Sequence, residues 1–257
     1  MNAQWHAQLK LAVVAFMALG ASTVSEAQVH VVTSGGFSAA FHELQPEFEK
    51  KIGIKITTTT GASQRTGPNT IGAQLRRGEH VDVVIMSREG LDDLIAEHRI
   101  VADTDVNLGQ TPLGLSVRAG AAKPDISSVE AFKQTLLKAK SVTFPGSTTG
   151  IYMESKLFPQ LGIASELAAK TTHTGVAAVA KGEAEIAIQP VSELLHAAGA
   201  DFVGPIPSQI QYISVFSAAL VNGSKEAAAS KRLLAFLASA DAKPAIKNSG
   251  MEPLPSK

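Results

Sequence analysis

Apolar residues along the chain alternate between two rhythms, short runs that read as strands and stripes spaced three and four apart that read as helices. Val29 to Thr33 forms an apolar run. It is followed by Phe37, Phe41, Leu44 and Phe48 at helical spacing, a stripe that belongs against a sheet. The same alternation predicts a strand over Ile54–Thr59, a helix over Asn69–Arg77, a buried strand over Val81–Met86 and a short helix over Glu89–Glu97. Polar turns through Thr104 to Gln110 interrupt the pattern. It resumes as a strand at Leu113–Val117, a capped helix at Ser128–Ala139, a strand at Ser141–Phe144, helices at Gly150–Leu161 and Gly175–Lys181, and a strand at Glu185–Ile188. Gly204-Pro-Ile-Pro acts as a breaker, after which Tyr212–Leu220 reads as a long strand, and helices near Lys225–Ala238 and Asp241–Lys247 close the chain.

Alternating strands and helices define an α/β protein with largely parallel sheets. The interruption near Gln110 and the breaker before Tyr212 predict two domains, a discontinuous one over 28–109 and 211–257 and an inserted one over 110–210. Two chain crossings would then form a hinge, with the open ends of both sheets facing one cleft.

The first 27 residues are set apart from this pattern. His6 and Lys10 precede an apolar stretch, Leu11 to Gly20, too short to span a bilayer, and Ser25-Glu26-Ala27 offers small residues where a signal peptidase reads. Cleavage after Ala27 and a periplasmic location are expected. The chain has no cysteine, which excludes a disulfide scaffold, a thiol enzyme, a zinc-thiolate site and a lipid-bearing cysteine. Basic and acidic residues balance at 23 each without clustering, so no nucleic-acid surface is expected. The seven histidines are dispersed without a metal-ligand spacing, and nucleophile-elbow and dinucleotide signatures are missing. Neither metal nor cofactor is expected.

Candidate chemistry gathers where strands give way to helices. Val29–Thr33 runs into Ser34-Gly35-Gly36, the second strand into the Gly61–Asn69 loop, and Ser141–Phe144 into Pro145-Gly-Ser147-Thr148-Thr149-Gly150. Such junctions aim free backbone N–H groups, a helix dipole and short hydroxyls at one point, a ready site for an anion. Ser34 can equally serve as a plain cap. The Gly61–Asn69 loop carries Ser63, Gln64, Arg65 and Thr66. Arg65 is a five-donor group suited to bidentate carboxylate binding or to a free surface, Thr66 or Gly67 stands at the cap position, and Pro68 suits a first helical turn. Arg88, after the third strand, lies where parallel sheets place ligands. Thr172-His173-Thr174-Gly175 opens another helix, with His173 either a proton-transfer group or solvated, and Gln189 ends a strand with its amide free to enter the cleft.

The chain resembles the periplasmic molybdate-binding proteins of ABC transporters and their two-lobed solute-binding relatives. The segments that carry the likeness are LRRGEHVDVVIMSREGLDDLI from Leu75, STTGIYMESKLFPQLGI from Ser147 and VAAVAKGEAEIAIQPVSE from Val176. The resemblance implies a type II periplasmic-binding-protein fold, with Ser34 and Ser63 at two first-lobe anion-binding turns and Thr149 and Gly175 at second-lobe donors. Where that family offers a tyrosine hydroxyl, this chain has Gln189-Pro190, and its second-strand loop contains Arg65. Proline has no donor to replace that hydroxyl, and the extra guanidinium charge suits a carboxylate-bearing anion. Within the same scaffold the opening Thr33-Ser-Gly-Gly-Phe, the Arg-containing insert and the Ser147–Thr149 run resemble the periplasmic aconitate isomerases. That implies interconversion of cis- and trans-aconitate by moving an allylic proton; among the candidate residues His173 is the most suitable base, and a monomer is expected. The alternative is a solute receptor that carries a tricarboxylate or molybdate-like oxyanion to an inner-membrane permease.

Overall fold

The computed structural model describes residues 28–255; the expected signal segment lies outside them. Strand β1 (Gln28–Thr33) leads into α1 (Gly35–Ile52), whose inward side is Phe37, Phe41, Leu44 and Phe48, all buried. Each such side chain contributes roughly 1.5–3 kcal/mol on burial. Helix α1 ends because Gly53 takes a left-handed conformation, φ 72°, and returns its N–H to the Glu49 carbonyl. Strand β2 (Lys55–Thr60), α2 (Ile71–Arg76), β3 (Val83–Ser87) and α3 (Arg88–Ala96) follow. Helix α2 begins later than the sequence pattern predicts. Its cap is Thr70, whose hydroxyl accepts from the Ala73 N–H at 3.2 Å, so Thr66, Gly67 and Pro68 stay in the preceding loop.

Strand β4 (Val106–Arg118) is longer than expected, and its first half occupies part of the segment read as polar turns. Asn107 is polar because its partner position on the neighbouring strand is polar too: Ser217 donates to the Asn107 side chain at 2.8 Å. After α4 (Val129–Lys138), capped by Ser128, come β5 (Val142–Thr143) and α5 (Thr148–Tyr152). A π-helical turn, Met153–Leu157, joins α5 to α6 (Phe158–Leu161), so the predicted single helix is one helix with an expanded turn inside it. The rest is α7 (Ala164–Ala168), β6 (Thr171–Thr172), α8 (Val176–Lys181), β7 (Ile186–Pro190), α9 (Val191–Leu194), β8 (Ala200–Pro205), β9 (Ile213–Leu220), α10 (Ala227–Leu237), α11 (Lys243–Asn248) and β10 (Glu252–Pro253).

The strands form one path, β2-β1-β3-β9-β4-β7-β5-β6. β1, β2 and β3 run parallel, as do β5, β6 and β7, while β9 and β4 run antiparallel and join the two sets. Strand β4 pairs with β9 through Val106–Pro112 and with β7 and β8 through Leu113–Arg118. The apolar core divides accordingly. The first lobe packs Val29, Phe41, Ile85 and Leu233 on one side of its sheet and Val32, Leu75, Val84 and Leu91 on the other; the second packs Leu115, Phe132, Phe144 and Ile188. Among the described residues no helix is long and apolar enough to cross a membrane.

Candidate functional site

The carboxyl ends of β1, β2, β3, β5 and β7 all open on one cavity of about 90 Å³. Its walls are Ser34, Gly35, Gly36, Ala62, Ser63 and Ser87 from the first lobe, Pro145, Ser147, Thr148, Thr149, Pro190 and Glu193 from the second, and Ser214 and Phe216 from β9. A single water needs only about 10–15 Å³ of such space, so there is room for a ligand of several atoms. A wider groove of about 620 Å³, lined by Val117, Arg118, Lys138, Glu185 and others, borders the starts of β5 and β7. Ligands of open α/β sheets lie at the opposite, carboxyl ends, so position rather than size selects the smaller cavity.

Ser34 stands at the N-cap of α1, yet its side chain makes no capping bond. Its Oγ is buried and has no hydrogen-bond partner. The N–H groups of a helix's first turn lack acceptors within the helix, and Gly35 and Gly36 place that turn directly on the cavity. No larger residue fits at Gly36, because an added Cβ would come within 1.9 Å of the Phe216 ring.

The two lobes meet across this cavity. The Gln64 N–H donates to Ser147 Oγ at 3.1 Å, and the Thr148 hydroxyl donates to Gln64 Oε1 at 3.0 Å. That leaves the Ser87 hydroxyl, 2.9 Å from Thr148 Oγ1, as the donor in their pair. Ser63 Oγ accepts from the Ser87 N–H at 3.0 Å and so fixes the end of β3. At the back, Ser192 on α9 donates to the Gly36 carbonyl at 2.7 Å.

Glu193 is the one charged side chain on the cavity wall. Helix α9 is a single turn after Pro190, and it sets the carboxylate against the start of α1, where a Cβ on Gly35 would lie 3.1 Å from Glu193 Oε2. Burial pushes the Glu193 carboxyl up to about 7, against the pull of a hydrogen bond from Gln189 Nε2 at 2.5 Å. The sequence pattern did not single out Glu193. Its only signal was the four-residue spacing from Gln189 across a proline that ends a strand.

Seven expected site residues do not line the cavity, one of them Gln64, which is engaged with Ser147 and Thr148 beside it. Gln189 is spent internally: its Oε1 accepts from the Val176 N–H while its Nε2 holds Glu193. The Gly175 N–H is taken by Thr143 Oγ1 at 2.9 Å, so the start of α8 is closed by side chains of β5 and β7. Arg88 turns to Asp92 and to Asp105, at 2.8 Å from the latter, and these bonds hold its pKa above the ordinary guanidinium value despite partial burial. Thr66 is exposed in the loop. Arg65, in a left-handed conformation at φ 72°, crosses from the first lobe to pair with Glu154 on the π-helical turn. His173 bonds the other oxygen of Glu154 at 2.7 Å and lies edge-on to Phe144, which makes it part of a rim cluster with Arg65 rather than of the cavity. Burial alone would raise the Glu154 carboxyl, but its bonds to Arg65 and His173 outweigh that and lower it.

Tyr152 stacks on Tyr212, with ring centres 4.9 Å apart. The Tyr212 hydroxyl donates to Glu89, and burial together with that carboxylate raises the phenol above its ordinary range.

Hydroxyls and helix starts at the carboxyl ends of strands from two lobes define a solute-binding protein, and the comparisons agree. The model of the bacterial extracellular solute-binding protein family matches residues 29–252, and the chain belongs to that family. An aconitate isomerase of Pseudomonas sp is 40% identical to it over 231 residues, 88% of each chain. Among solved structures, the Azotobacter vinelandii periplasmic molybdate-binding protein superposes with a TM-score of 0.66 at 17% identity, over 88% of this chain and 99% of its own. The sulfate-binding protein of Mycobacterium tuberculosis H37Rv does so at 0.67 and 17%, over 89% and 87%. These neighbours establish the type II binding-protein fold.

Proposed function

We propose that the chain is a periplasmic aconitate isomerase that binds its tricarboxylate between the lobes. The observation that carries this reading is the 40% identity to an aconitate isomerase across nearly the whole chain. The cavity chemistry agrees with it: unpartnered Ser34 Oγ, the first turn of α1 and the Ser147–Thr149 run offer donors for carboxylates from both sides.

Interconverting the two isomers moves one proton. It leaves the methylene carbon, the double bond shifts, and a proton returns to the former vinyl carbon, so no other reactant is consumed. The charge that spreads over the allyl system and its carboxylates needs fixed donors nearby. Which isomer forms depends on how the mobile carboxylate is held about its single bond, a task for donors on opposite walls. Closing the lobes expels water and strengthens these interactions.

The hinge of this reading lies at the two crossings near 109–110 and 210–211, with lobes 28–109 plus 211–255 and 110–210. Arg65, Glu154 and His173 form a clasp on the rim, and Arg65 supplies positive charge to an arriving carboxylate as it leaves Glu154. Release into the periplasm follows cleavage after Ala27. The family membership supports a second reading, that of a receptor for a small anion handed to an inner-membrane permease.

Thermal-shift measurements with trans-aconitate, cis-aconitate, citrate, molybdate and sulfate test the ligand class. Stabilisation by the aconitates and not by the inorganic oxyanions is expected. A shift with molybdate or sulfate alone would remove the tricarboxylate site.

A further inference from the structure

The geometry points to Glu193 as the catalytic base of this site, the group that takes the proton from the substrate methylene and returns it to the other end of the allyl system. The inference rests on the isomerase reading above and adds the residue that performs the transfer.

The other polar side chains on the cavity wall are serines and threonines, which hold ligands but do not take protons from carbon at neutral pH, and His173 lies outside on the rim. Glu193 sits opposite the donors of the start of α1, so a substrate carboxylate anchored on Ser34 and Gly35 would bring its adjacent carbon to the carboxylate. A base must stand within hydrogen-bond reach of the proton it removes, and this is the carboxylate with that access.

Gln189 accepts the Val176 N–H with one end of its amide and donates to Glu193 Oε2 with the other, which fixes one carboxylate oxygen and leaves Oε1 for chemistry. Gln189 is therefore a positioning residue. Among the described residues no cation pairs with Glu193, and its raised pKa makes it a stronger base than a solvated glutamate.

The step balances without a co-reactant. A C–H bond of the methylene breaks as an O–H bond forms on Glu193, and the released electron pair becomes the new carbon–carbon double bond while the old one opens onto the far carbon. That carbon then takes the proton back, and Glu193 is again a carboxylate.

The test uses the mature protein and trans-aconitate in deuterated buffer, with proton NMR following both cis-aconitate formation and loss of methylene signal, and calorimetry giving the affinity. Glu193→Gln is expected to lose turnover and exchange by a hundredfold or more, in line with the roughly 10²–10⁴ that a general base contributes, while its Kd stays within about threefold. Glu193→Asp keeps a carboxylate and is expected to recover part of the rate at unchanged affinity. A rate loss in Glu193→Gln below a hundredfold would overturn the assignment, as would parallel loss of binding, which would make Glu193 a binding or structural group. If the unmodified protein neither binds nor converts trans-aconitate, the site reading itself fails, an outcome distinct from either.

Discussion

Ser34 occupies a position where a serine normally bonds the first turn of its helix, and here it does not. A buried hydroxyl without a partner costs about 1–3 kcal/mol, so Ser34→Ala should leave the unliganded protein as stable or more so in thermal denaturation. The same change should weaken trans-aconitate binding about tenfold in calorimetry, because the ligand loses a donor. A destabilised variant of unchanged affinity would mean that Ser34 serves the fold. This residue was legible in the sequence because strand, small polar turn and helix are contiguous, as were Ser63 and the Ser147–Thr149 run. Glu193 was not, because its value comes from the distant Gly35 turn and cavity walls on other elements, and because it sits on a one-turn helix too short for any periodicity. His173 and Arg65 carried the right chemistry at the right strand ends, but Glu154, on the π-helical turn, draws both onto the rim. Arg88 was misleading for a similar reason, since Asp92 and Asp105 compensate it where it stands.

Elements with a clear period or cap were readable, and a few of the shortest were not. The four-residue stripe on α1, the all-buried β3 and the capped α4 follow from period and caps. Two-residue β6 and one-turn α9 exist because the sheet and the neighbouring lobe hold them, a tertiary cause that a local window does not contain. The first half of β4 was hidden for the opposite reason, its polar positions being paired across to β9. The approach of α1 to β9 gives an element-scale prediction. A methyl group at Gly36 would collide with Phe216, whose ring fills the space under the first turn of the helix. Gly36→Ala should destabilise the protein by about 1–3 kcal/mol in chemical denaturation and lower affinity for trans-aconitate. A variant as stable as the parent would show that Phe216 moves freely and is not a wall of the site.

At the scale of the molecule, parallel strands end where the two lobes face each other, and β4 and β9 run continuously between them. The α/β class and the facing cleft were legible from the alternation of periods. The joining of both strand sets into one path through β4 and β9 was not, because pairing partners far apart in sequence leave no local mark. The lobes touch through neutral hydroxyl and amide bonds around the cavity and through the Arg65–Glu154–His173 cluster at its rim. Neutral contacts of this kind, each worth about 0.5–1.5 kcal/mol, can part for a ligand and reform over it. A receptor and an isomerase share all of this architecture, and they separate only in whether the bound acid leaves unchanged. The direct measurement is therefore proton NMR of the purified mature chain with trans-aconitate alone. The account predicts that cis-aconitate appears and approaches a fixed equilibrium ratio from either isomer; saturable binding of trans-aconitate with no cis isomer formed would contradict it.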